Sequence, residues 1–80
     1  MRLNAEFTTE PFHGEGEPPR HATGPAEVLR SRGLACELGP FGTTTSGTLD
    51  ELADAIALVL RAAFDHGADR ITLQVERADG

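Results

Sequence analysis

Four hydroxyl side chains follow one another at Thr43, Thr44, Thr45 and Ser46, and two carboxylates, Glu6 and Glu37, lie on segments of extended character. Such groups hold a ligand by hydrogen bonds and offset a positive charge. Glu6 and Glu37 are also of the type that works as an acid and base pair. No nucleophile and base are placed beside them, so catalysis has little support. His13, His21 and His66 match no zinc spacing, and the single Cys36 offers no second sulfur. The stretch GPFGTTTSG lacks the spacing and the lysine of a phosphate loop. An anion could still sit at a helix start near Thr48. Glu10, Glu15 and Glu17 read as solvated charge.

The chain has 80 residues and a net charge of −6, with seven arginines and no lysine. One domain, residues 1–80, is the expectation, and its core must be small. Self-association would compensate. Without a basic cluster, nucleic acid and anionic membrane surfaces are poor partners. A cationic partner fits the charge better. No apolar run is long enough to span a bilayer, and MRLNAEFTTEPF lacks the apolar centre of a signal peptide. A cytoplasmic location is expected. Cys36, between Leu34 and Leu38, reads as a buried structural thiol.

These residues must be positioned by a small set of elements. RLNAEFT, residues 2–8, alternates, with Leu3, Ala5 and Phe7 on one face and Asn4, Glu6 and Thr8 on the other. Residues 9–20 are rich in Pro, Gly and Glu and predict a long loop. A first helix follows and ends at Gly33. Either Pro25 is its first helical residue with Gly24 as cap, or it starts near Pro19 with Pro25 inside; the favoured start is residues 20–24. Leu34 to Leu38 predicts a strand with Glu37 turned away from the core. After a bend at Pro40 and Phe41, residues 42–47 predict a strand with hydroxyls on both faces. Thr48 and Glu51 have capping-box spacing. The helix after them carries a stripe of Leu49, Leu52, Ala53, Ile56, Val59, Leu60, Ala63 and Phe64. Leu58 falls off that stripe, either as a lone exposed leucine or as a subunit contact. RITLQVE, residues 70–76, closes the chain as a strand, with a frayed tail at 77–80.

The order βαββαβ predicts a two-layer α+β sandwich of ferredoxin-like type, its four-stranded antiparallel sheet ordered 4-1-3-2. Both helices then cover one face. The open face should carry Asn4, Glu6, Thr8, Glu37, Thr72, Gln74, Glu76 and hydroxyls of residues 43–46. Two readings stand: a solvated surface, or a site for a cationic, hydrogen-bonding small molecule.

ELGPFG at Glu37–Gly42, TTTSGTLDEL after it and AAFDHGADRITLQVE further on resemble the thiamine-binding (YkoF-like) family of small ferredoxin-like proteins. The similarity runs from Leu34 to Glu76. The loop HGEGEPPRH and the Gly24-Pro25 pair depart from the family pattern. The resemblance implies homodimers or homotetramers associated through their sheets. It implies non-catalytic binding of thiamine or its hydroxymethylpyrimidine moiety, with no cofactor. It places Glu37, Gly42, Thr43 and Thr44 near the pocket. The chemistry of the ligand agrees: Glu6 or Glu37 would offset the thiazolium, and Thr43, Thr44 and Thr45 would read ring nitrogens. Glu6, Thr8, Glu37, Gly42, Thr43, Thr44 and Thr45 are therefore the expected ligand residues. Phe7, Phe12 and Phe41 are stacking candidates, with Phe7 favoured for the core by its parity. The competing expectation is a ligand-free structural or regulatory module.

Overall fold

The computed structural model describes residues 1–11, 16–39 and 42–78. The expectations for Phe12, His13, Glu15, the Pro40-Phe41 bend and the last two residues lie outside them. The elements are β1 (Arg2–Glu10), α1 (Arg20–Ser31), β2 (Ala35–Gly39), β3 (Gly42–Thr48), α2 (Leu49–Asp65) and β4 (Arg70–Arg77). The sheet is antiparallel throughout and ordered β2-β3-β1-β4. This is the expected ferredoxin-like α+β fold.

Alternation assigns the two faces. Leu3, Ala5 and Phe7 on β1 are buried, as are Thr43, Thr45 and Gly47 on β3. The register sets Leu3 opposite Gly47, Ala5 opposite Thr45 and Phe7 opposite Thr43. The bulky Leu3 and Phe7 thus meet small β3 residues, which lets the helices close on the sheet. The core joins Leu3, Ala5 and Phe7 to Leu29 of α1 and to Leu52, Ala55 and Val59 of α2.

β1 continues through Glu10, two residues beyond the expected end, because Thr9 and Glu10 still pair with Ile71 and Arg70. Thr9 is buried and shares a 2.7 Å hydrogen bond with His21 Nδ1, tying β1 to the start of α1. At the other end of the sheet, β4 includes Arg77, and the Ala78 N–H donates to the Arg2 carbonyl at 3.0 Å. Backbone pairing therefore holds residues 77 and 78, where fraying was expected.

α1 starts at Arg20 with Pro19 as its extended N-cap, and Pro25 lies inside the helix. The Pro19 carbonyl accepts from Ala22 N–H at 2.9 Å, which closes the first turn. Pro25 has no N–H to give the His21 carbonyl, so the helical ladder is broken there. Gly24 has a steric reason. A Cβ on Gly24 would stand 2.8 Å from the His66 ring. The Gly-Pro step is where α1 approaches the end of α2.

α2 opens with the expected capping box: the Glu51 N–H donates to Thr48 Oγ1, and the Thr48 N–H donates to Glu51 Oε1. Its buried line is Leu52, Ala55, Val59 and Ala63, with Ile56 packed beside it. This corrects the predicted stripe. Leu49, Leu60 and Phe64 are exposed, as is Ala53, and Ala55 is fully buried. Ala55 has only a methyl group, too short to hold the helix off the sheet, so the helix turns that flank inward. Leu58 is exposed.

Candidate functional site

The open face is organised in lateral rows. Glu37 stands opposite Thr44, Thr44 opposite Glu6, and Glu6 opposite Gln74. The next row is Ala35, Ser46, Asn4 and Glu76, by the same pairings. Within a row neighbouring backbones lie about 5 Å apart, so Glu37 and Glu6 flank Thr44 across about 10 Å. Both rows line one open depression of 680 Å³. The side chains of Ala5, Cys36, Thr45 and Val75 alternate toward the helices, so their main chain floors it.

Of the seven expected ligand residues, Glu6, Glu37, Thr44 and Thr45 line this depression, and Thr8, Gly42 and Thr43 do not. Thr43 is 2% exposed and faces the helices. Thr45 faces the same way, and its hydroxyl donates to the Ala35 carbonyl. Thr8 is on the open face, one row away, opposite Thr72. Gly42 is a glycine for lack of room: a Cβ there would stand 3.0 Å from the Phe7 carbonyl oxygen and 3.1 Å from the Thr8 methyl. Asn4, Ser46, Gln74 and Glu76 join the depression and were not among those seven. Strand parity already placed Asn4, Gln74 and Glu76 on this face; what the sequence lacked was the cross-strand register, which adds Ser46.

Three carboxylates, from Glu6, Glu37 and Glu76, line the depression, and no arginine does among the described residues. Carboxylates, hydroxyls and amides thus face the same depression, and the carboxylates give it a negative potential. Cys36 belongs to the sheet's other side. Burial pushes its thiol upward, partly opposed by the Arg30 guanidinium, so it stays protonated near neutral pH and is a poor nucleophile. Among the described residues no group of three or more His, Cys, Asp or Glu side chains is gathered to hold a metal ion. Among them, too, no helix is long and apolar enough to cross a membrane.

Known structures share this architecture. A candidate thiamine biosynthesis or salvage protein of Thermotoga maritima is 24% identical with a TM-score of 0.69, over 100% of this chain and 88% of that one. A hypothetical protein of Methanocaldococcus jannaschii is 23% identical with a TM-score of 0.68, over 99% and 84%. A Bacillus cereus domain of unknown function, DUF77, is 24% identical with a TM-score of 0.66, over 94% and 72%. These likenesses show the fold. No curated protein matches the chain. The thiamine-binding protein family model matches residues 5–79, reaching into all four strands and both helices, and the chain belongs to that family.

Proposed function

We propose that the protein binds thiamine, or its hydroxymethylpyrimidine moiety, on the open face of the sheet as a homo-oligomer and without catalysing a reaction. The observation that carries this reading is the row Glu37, Thr44, Glu6 and Gln74 across the floor of the acidic depression. Thiamine is a permanent cation joined to an aminopyrimidine with donors and acceptors. A carboxylate on either side of a hydroxyl offers charge to the first part and acceptors to the second. Family membership supports the ligand class.

Isothermal titration with thiamine, hydroxymethylpyrimidine and thiamine diphosphate tests it. Thiamine should bind at micromolar concentration. The diphosphate should bind more weakly, because its charge meets three carboxylates and no cation among the described residues of the depression. Glu6→Gln and Glu37→Gln should each weaken thiamine by about fivefold, the scale of one exposed charge pair. Absence of binding by all three compounds would leave a ligand-free oligomerisation module as the reading.

A further inference from the structure

The two sides of the depression differ. The short side chains of Ala35, Thr44 and Ser46 gather on β2 and β3, and the long ones of Glu6, Gln74 and Glu76 stand on β1 and β4. Glu37, at the outer edge on β2, is the exception. Short side chains leave the sheet surface low over Ala35, Thr44 and Ser46; long ones rise above it toward β4. The low part is also pinned from beneath. On the helix side of the sheet the Thr45 hydroxyl donates to the Ala35 carbonyl, which ties β2 to β3 under this floor.

The carboxylates divide in the same way. Glu6 is opposite Gln74, and Glu76 is opposite Asn4, so Glu6 and Glu76 are diagonal neighbours across β1 and β4. Such neighbours lie about 7–8 Å apart, and two flexible glutamates can close on one group between them. Glu37 is kept apart from Glu6 by Thr44. Two carboxylates on flexible arms suit a permanent cation. A low, pinned floor with one acceptor at its edge suits a flat ring that donates from an amino group.

We propose that the depression takes its ligand in one direction. The aminopyrimidine ring lies over Ala35, Thr44 and Ser46 with its amino group at Glu37, and the cationic ring lies over the β1 and β4 side between Glu6 and Glu76. This rests on the binding reading above and adds a division of labour to it. Ala35 and Ser46 set the room for the flat ring, because a larger side chain at either position would stand where the ring lies. Glu76, which was not among the seven expected ligand residues, selects for positive charge. A neutral ring compound uses only the β2 and β3 side, so it is insensitive to Glu76. A compound with both parts needs both sides.

Isothermal titration of the full chain with two compounds tests the direction. Hydroxymethylpyrimidine has the aminopyrimidine ring and no permanent charge; thiamine has the ring and the cation. Wild type should bind both. Glu76→Gln should weaken thiamine about fivefold and change the pyrimidine by less than about twofold. Ala35→Leu, and independently Ser46→Val, should weaken both compounds about tenfold by filling the space of the ring. Thr72→Leu, on the same face but outside the depression, is the control and should change neither. Dichroism confirms that each variant is folded. The direction is overturned, with binding left standing, if Glu76→Gln weakens both compounds alike or neither, or if Ala35→Leu and Ser46→Val spare the pyrimidine. It is equally overturned if Thr72→Leu matches those two variants or if wild type binds only one of the compounds. Binding of neither compound by wild type overturns the underlying binding reading as well.

Discussion

Thr45 donates its hydroxyl to the carbonyl oxygen of Ala35, 2.5 Å away, on the helix-facing side of the sheet. Its neighbour Thr44 is exposed on the opposite face, between Glu37 and Glu6. Adjacent threonines therefore have separate duties. Thr45→Val keeps the shape and removes a buried donor, so chemical denaturation should show a loss of about 1 kcal/mol. Thr44→Val should leave the unfolding midpoint nearly unchanged and weaken thiamine in a calorimetric titration.

Two leucines of α2 separate the observed packing from the predicted stripe. Leu52 is fully buried, and Leu60 is 39% exposed. Leu52→Ala removes a core side chain and should cost about 3 kcal/mol. Leu60→Ala should stay within about 0.5 kcal/mol, as surface changes do. Urea midpoints of the two variants decide the matter; equal losses would mean the helix is rotated from its position here.

The capping box gives α2 a pH dependence. The Thr48 backbone N–H, and then its side chain, hold the Glu51 carboxyl below the usual carboxylate range. A depressed folded-state value means the contribution is present above the unfolded value and disappears as pH falls through the folded one. Melting temperatures of wild type and Glu51→Gln should therefore converge below about pH 4, the ordinary glutamate range, and separate above it. Thr48→Ala should cost about 1 kcal/mol at neutral pH.

Gly47 marks where β3 hands over to α2. A Cβ there would lie 3.2 Å from Leu34 Cδ2 and 3.2 Å from Glu51 Oε1. Valine cannot fit without moving both, so Gly47→Val should lose about 2 kcal/mol by overpacking. Thermal unfolding measures it, and a neutral result would mean the Leu34 side chain has room to turn aside.

The sheet was legible because β1 and β2 alternate cleanly, and Thr48 with Glu51 announced the helix between β3 and β4. The apolar alternation of β4 told its face but not its cover: Ile71 packs against the core, whereas Leu73 and Val75 stay exposed. α2 was misread in phase. It has leucines on several sides, and hydrophobicity cannot say which side an alanine will bring nearest the sheet. α1 showed the Gly-Pro pair but not what crowds Gly24, the His66 ring at the end of the other helix. For the site, parity separated the faces of β1, β2 and β4. It was silent on β3, where both faces are hydroxylic, and only pairing with Glu6 and Glu37 singles out Thr44.

That two-sided strand has one more effect. An ordinary strand is kept from sliding along its neighbours because a one-residue slip would throw its oily side into water. Residues 43–46 would suffer almost nothing from such a slip. Alignment is enforced instead at the strand's extremities, by the tight seats of Gly42 and Gly47 and by the Thr48 cap. The register of β3 therefore rests on its two ends, and enlarging either glycine should disturb the pairing of the whole strand.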